Sequence, residues 1–161
     1  MFAASYPELT RSVILLAAGG KIPPKPAAER ALQIIFDPKS THADVMAQLP
    51  YLVSSPQDAA RVWEIFKSFF DPGAASIEMA AARATPLKVW WAPAGDTKYL
   101  ILQGAEDQIA LPENGVELAK ELGPRATLVN VPGAAHLLPL EQPEKTASHM
   151  ISFIRQLGRT P

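Results

Sequence analysis

The sequence predicts an α/β fold: about three parallel strands with flanking helices, interrupted by an inserted helical lobe. Three observations carry this. Three continuous apolar runs end in glycine turns, as expected for strands covered on both faces. Amphipathic helical patterns follow the second and third runs. The long middle stretch contains helical patterns and no convincing strand.

The first element is Val13-Ile14-Leu15-Leu16-Ala17-Ala18, closed by Gly19-Gly20. It resembles a secretory signal only superficially. Pro7 and Glu8 precede it where a basic segment would be required, and Arg11 is the only early basic residue. No run approaches the ~20 apolar residues of a membrane helix. Gly19-Gly20 lacks the further glycines or phosphate-loop lysine of a nucleotide site, so no cofactor is expected.

Residues 21–95 open with Pro23-Pro24-Lys25-Pro26 and read as the inserted lobe, between a first segment at 1–20 and a last at 96–161. The clearest helix of the lobe has Ser55 as N-cap and Pro56 at its first position. Val62, Trp63, Phe66, Phe69 and Phe70 follow at helical spacing, and Asp71-Pro72-Gly73 breaks the pattern. Core packing is the expected role of this aromatic stripe, as it is for Trp90-Trp91. Asp96 reads as a turn residue.

The second strand is Tyr99-Leu100-Ile101-Leu102-Gln103, running into Gly104-Ala105-Glu106-Asp107. A helix follows from about Glu113 to Leu122, started by Pro112, stopped by Gly123-Pro124, with Leu118, Ala119 and Leu122 on one face. The third strand, Ala126-Thr127-Leu128-Val129-Asn130-Val131, leads into Pro132-Gly133-Ala134-Ala135-His136. The last helix begins at Pro143, carries Ala147, Met150, Ile151, Ile154 and Leu157 on one stripe, and closes at Gly158.

Asp107 and His136 are the candidate site. On neighbouring parallel strands roughly 4.8 Å apart, both would emerge beyond the same carboxyl edge, where open α/β sheets bind ligands. A carboxylate beside an imidazole fixes its tautomer and lets it exchange protons near neutral pH. Glu106 reads as an exposed neighbour of the acid, and His42 and His149 as solvated helical residues. The three histidines lack metal-ligand spacing with carboxylates, and no metal is expected.

Composition narrows the partners. The chain has 161 residues, with 15 basic and 16 acidic side chains giving a net charge of -1. That balance gives no electrostatic footprint for nucleic acid or an anionic membrane. The length suits one domain. The absence of cysteine rules out disulfides and thiolate chemistry and fits a reducing compartment, so a cytoplasmic location is expected.

The stretch from Gly104 to Asn114, together with Pro132-Gly133-Ala134-Ala135-His136 and Glu141-Gln142-Pro143-Glu144, resembles the carboxyl-terminal half of a capped, serine-type α/β-hydrolase. The opening Ala3-Ala4-Ser5-Tyr6-Pro7-Glu8-Leu9 is similar to the end of the helix after the nucleophile, and residues 21–95 fall where this family inserts its cap. The resemblance implies Asp107 as triad acid, His136 as triad base, and a small hydrophobic ester or related acyl compound as substrate. Caps of this kind also suit carbon–carbon bond hydrolysis, and an aspartate nucleophile would imply epoxide or halide displacement.

Two departures stand out. Ala135 replaces the glycine usual before the histidine, and Gly-x-Ser-x-Gly occurs nowhere. By the resemblance the chain begins inside the helix just after the nucleophile, and Met1 reads as an internal start in a longer or interrupted frame. Weak or no activity is then expected of the isolated chain, with Ser5 and Ser12 the first serines to test should it prove active. The alternative is a non-catalytic remnant acting as an interaction or oligomerisation module. In either case strand 13–18 is expected to be an exposed edge that pairs with a second copy or with an amino-terminal hydrolase half.

Overall fold

The computed structural model describes residues 2–68, 71–89 and 91–158. A short helix α1 (Phe2–Ser5) precedes strand β1 (Ser12–Leu16). The lobe follows with α2 (Pro26–Ile35), α3 (His42–Gln48), α4 (Ala59–Phe66) and α5 (Pro72–Ala84). The chain then alternates: β2 (Lys98–Gly104), α6 (Pro112–Leu122), β3 (Ala126–Val131), a single turn α7 (Leu138–Glu141) and α8 (Pro143–Leu157).

The three strands form one parallel sheet in the order β1-β2-β3. Ser12 pairs with Lys98 and Leu16 with Leu102, while Tyr99 pairs with Ala126 and Gly104 with Val131. Side chains alternate across the sheet, as strand geometry requires. Ile14, Leu16, Leu100, Leu102, Val129 and Val131 pack towards α8 through Phe153. Val13, Leu15, Tyr99, Ile101 and Leu128 pack towards α6 through Leu118 and Leu122. Central β2 is buried from Tyr99 onward, whereas every residue of β1 is half-buried. Among the described residues, β1 pairs with β2 alone.

β1 stops earlier than the apolar run. Ala17 takes a positive φ of 47°, its N–H still donating to Leu102 O at 2.9 Å, and this turns the chain away from the sheet. Gln103, fully buried in β2, accepts the Ala18 N–H and donates to carbonyls of Ala110 and Leu111. Asn114, also buried, accepts from Ile22 N and donates to Ile22 O. These two amides fasten the exit from β1 to α6, where buried backbone groups would otherwise lack partners.

Among the described residues the lobe holds helices and 3-10 turns joined by loops, and no strand. Its core joins Ile35, Val45, Leu49, Leu52, Val62 and Trp63, with Phe66 packed against them, and it extends to Ile109, Leu137 and Leu140 outside the lobe. Trp63 and Phe66 thus pack in the core, and Phe69, Phe70 and Trp90 lie outside the described residues. Trp91 is buried beside β2.

Three local expectations are corrected. Ser55 caps no helix with its side chain: Pro56–Asp58 form a 3-10 turn, and α4 starts only at Ala59. Asp71 begins a helix as well as following one, its carboxylate accepting the N–H groups of Gly73 and Ala74 at the start of α5. In α8 the inward stripe is Thr146, Met150, Phe153 and Leu157, while Ala147, Ile151 and Ile154 face outward. Both stripes are apolar, but Phe153 covers more of the sheet, and buried Thr146 satisfies its hydroxyl on Gln142 O at 2.7 Å. Among the described residues, no helix is long and apolar enough to cross a membrane.

Candidate active site

Asp107 lies three residues beyond β2 in a tight turn, its N–H donating to Gly104 O. One carboxylate oxygen, Oδ1, accepts the N–H groups of Ile109 and Ala110 at 2.8 and 2.9 Å. The side chain is fully enclosed, and these bonds fix its orientation. The other oxygen, Oδ2, stands 3.1 Å from His136 Nδ1. This lies within hydrogen-bonding range and joins two residues 29 positions apart.

His136 comes from the loop after β3. Gly133 turns the loop at φ 74°, a conformation that favours glycine. The loop then crosses directly over the end of β2. A Cβ on Gly104 would lie 2.2 Å from Ala135 O and 2.6 Å from Ala134 O, so only glycine admits this crossing. Ala135, the departure from the usual glycine, is 1% exposed and has no positive φ, so its methyl group is accommodated without backbone strain.

Almost every polar group of the loop is tied down. Glu106 accepts the N–H groups of Gly133 and Ala134 while its own N–H donates to Ala134 O. Gln142 donates to Gly133 O, and Lys145 to Pro132 O. Glu141, 8% exposed, accepts the Ala135 N–H. The backbone N–H groups of His136 and Leu137 both donate to Leu52 O in the lobe, at 3.1 and 3.2 Å.

The arrangement has a definite chemical capacity. With Asp107 ionised and opposite Nδ1, the neutral imidazole carries its proton on Nδ1, leaving the Nε2 lone pair to accept a proton. The His136 side chain is 28% exposed, so the ring is accessible while its partner is not. No serine hydroxyl hydrogen-bonds this ring among the described residues. Ser12 pairs with Lys98 at the amino end of the sheet, about 20 Å along β2 from Gly104, so its early candidacy as a nucleophile does not fit the fold.

Of the other sequence candidates, Asp96 is an exposed bend residue. His42 opens α3 against the Trp63 ring, with centroids 5.6 Å apart. His149 is half-buried on α8 rather than fully solvated. Sequence reasoning missed the loop-bracing roles of Glu106 and Glu141, since their partners are backbone N–H groups brought together only by tertiary structure. Their sequence signals are proximity to Asp107 and His136 and a place in the stretches that carry the resemblance, neither of which specifies a bracing role.

No family model matches the chain, and neither does any curated protein. Solved structures do match. A thermophilic esterase from Thermogutta terrifontis aligns over 97% of this chain and 60% of its own, at 22% identity and a TM-score of 0.70. The 2-hydroxy-6-oxo-6-phenylhexa-2,4-dienoate hydrolase of Rhodococcus sp. strain RHA1 aligns over 95% and 58%, at 20% identity and 0.64. An α/β-hydrolase enzyme from a Medee basin deep-sea metagenome library aligns over 99% and 60%, at 18% identity and 0.59. The fold is thus a partial α/β-hydrolase fold. The chain spans 58–60% of the length of each of these three structures.

Proposed function

We propose that Asp107 and His136 are the acid and base of a serine-type hydrolytic site for an ester or related acyl bond, with the nucleophile supplied by sequence outside this chain. The observation that carries this reading is the 3.1 Å contact between His136 Nδ1 and Asp107, whose buried carboxylate is already fixed by two backbone N–H groups. The esterases and hydrolases of similar fold support it. The aromatic, apolar lobe beside both loops supports a small hydrophobic substrate.

In this chemistry Nε2 of neutral His136 accepts the proton of a serine hydroxyl as the serine oxygen attacks the acyl carbon. Asp107 stabilises the resulting imidazolium. Nε2 then returns the proton to the departing alcohol oxygen, leaving an acyl-serine. Water, deprotonated in turn by Nε2, hydrolyses that ester and regenerates both groups.

The test is turnover of short nitrophenyl esters by purified residues 1–161, alone and joined to whatever sequence precedes them in frame. The chain alone should show at most weak turnover, since an acid and base without a nucleophile forfeit most of the acceleration. Strong turnover should require a preceding Gly-x-Ser-x-Gly and disappear in His136→Ala. Strong turnover by the chain alone, lost in Ser5→Ala and in His136→Ala, would place the nucleophile inside it. Inactivity of both forms favours the second reading, a non-catalytic interaction module. That reading draws on the unpaired side of β1 and on a cavity of about 230 Å³ beside it, lined by Val13, Leu15, Trp91, Tyr99 and Leu118 and touching neither Asp107 nor His136.

A further inference from the structure

Glu141 is a buried carboxylate that the chemistry above does not use, and its two oxygens face different parts of the molecule. Oε1 accepts the Ser54 N–H of the lobe at 2.6 Å. Oε2 accepts the Ala135 N–H, immediately before His136, at 2.9 Å. No basic side chain forms an ion pair with it among the described residues. Burying a carboxylate without a cation is costly, so it persists only where its acceptors are needed. Here each N–H donor meets a different oxygen of the carboxylate. A glutamine would present one acceptor and one donor and could satisfy only one of them.

The same junction is closed a second time. Leu52 O accepts from both His136 N and Leu137 N, and Arg61 of α4 donates to Leu140 O at 3.1 Å. Leu137 and Leu140 add apolar contact with the lobe core. The backbone of the base is therefore held as much by residues 52–54 of the lobe as by its own strand.

We propose that Glu141 is a positioning residue that couples the seating of the helical lobe to the alignment of His136 with Asp107. With the lobe seated, Glu141 and Leu52 O hold the loop at the height where Nδ1 meets Asp107. With that tie broken, the loop keeps its outer braces, from Glu106, Gln142 and Lys145 to residues 132–134, but none on Ala135 or His136 themselves, and the imidazole is free to turn. This rests on reading Asp107 and His136 as acid and base. It adds that the base is competent only while the lobe is in place.

Nitrogen-15 spectra of the imidazole in residues 1–161 separate the two claims. The wild-type ring should show the Nδ1-protonated neutral tautomer with a slowly exchanging Nδ1 proton. A mixed or Nε2-protonated ring would remove the acid–base pair and the coupling together. In Glu141→Gln, with circular dichroism and the β2 and β3 amides unchanged, the Nδ1 proton should exchange with water about tenfold faster or more, and both tautomers should appear. In Glu106→Gln the Ser54 amide should keep its wild-type exchange rate. A Glu141→Gln ring indistinguishable from wild type overturns the coupling and leaves the pair intact. Should Glu141→Gln fail to fold, wild-type amide exchange decides. Ser54, Ala135, His136 and Leu137 should open at one common rate, and four unrelated rates would overturn the coupling.

Discussion

Replacing Gly104 by alanine tests whether the crossing of the histidine loop over β2 is what brings His136 to Asp107. The added methyl would sit 2.2 Å from Ala135 O and 2.6 Å from Ala134 O. An ordinary carbon–oxygen contact is about 3.3 Å, so the loop or the strand end must give by roughly 1 Å. Both obstacles are backbone, and neither can swing aside as a side chain would. Overpacking of this severity costs about 2–4 kcal/mol, a large share of the 5–15 kcal/mol expected for a domain.

Two controls calibrate that number. A Cβ on Gly19 would meet nothing within 4 Å, so Gly19→Ala should change stability by less than about 0.5 kcal/mol. A Cβ on Gly115 would lie 2.7 Å from Gln103 Cγ and 3.0 Å from Leu128 Cδ1, contacts that are longer than those at Gly104 and with side chains rather than backbone, so Gly115→Ala should fall between. Urea unfolding followed by tryptophan fluorescence and by circular dichroism gives the three values. Imidazole nitrogen shifts report whether the Nδ1 contact survives in Gly104→Ala. Equal stabilities for Gly104→Ala and Gly19→Ala, with the contact intact, would refute the close-crossing argument.

Two further predictions concern the α6 face and the sheet edge. Burial raises the pKa of Tyr99 above its ordinary value of 10, with Arg125 acting in the opposite direction, and its hydroxyl has no hydrogen-bond partner among the described residues. The folded state holds this proton more tightly than the unfolded chain. Its contribution to stability is therefore fully present below about pH 10 and lost as pH rises through the elevated folded value. Tyr99→Phe should flatten that alkaline fall and raise stability at neutral pH by about 1 kcal/mol. An unchanged alkaline limb in urea titrations would contradict this. Along β1, Ala17 N bonds to Leu102 O, so strand alternation turns the amides of Ile14 and Leu16 away from β2. The chain should self-associate reversibly through that edge in a sedimentation dilution series. A monomer whose Ile14 and Leu16 amides nevertheless exchange slowly would refute the edge assignment.

The elements legible in the sequence are those whose determinants are local or periodic. The apolar runs of β2 and β3 mark buried strands, and Pro112, Pro143 and Gly158 bound α6 and α8. Asp107 and His136 could be placed because the turns after β2 and β3 deliver them to one edge of a parallel sheet. The register between two helical stripes of equal apolarity was not legible. On α8 it depends on Phe153 meeting the β-sheet, with Ile151 and Ile154 left 48% and 54% exposed. Helix boundaries in the lobe were blurred because Ser55-Pro56 suits a 3-10 turn as well as an α-helix start. Least legible were Glu106 and Glu141. A carboxylate that serves converging backbone N–H groups looks, in sequence, like any other surface acid.

The order of the sheet also bears on how the molecule assembles. Tyr99 and Ala126, paired across β2 and β3, are 27 residues apart, whereas Ser12 and Lys98, paired across β1 and β2, are 86 apart. Closing the longer loop costs about 1 kcal/mol more in chain entropy. The β2-α6-β3 unit is thus the cheaper nucleus, and β1 joins it only when the lobe condenses between them. Asp107 and His136 both lie on the loops of that early unit. The contacts of Leu52 and Ser54 with the histidine loop belong to the slower closure, so the loops that carry Asp107 and His136 come together first and their alignment is fixed only afterwards.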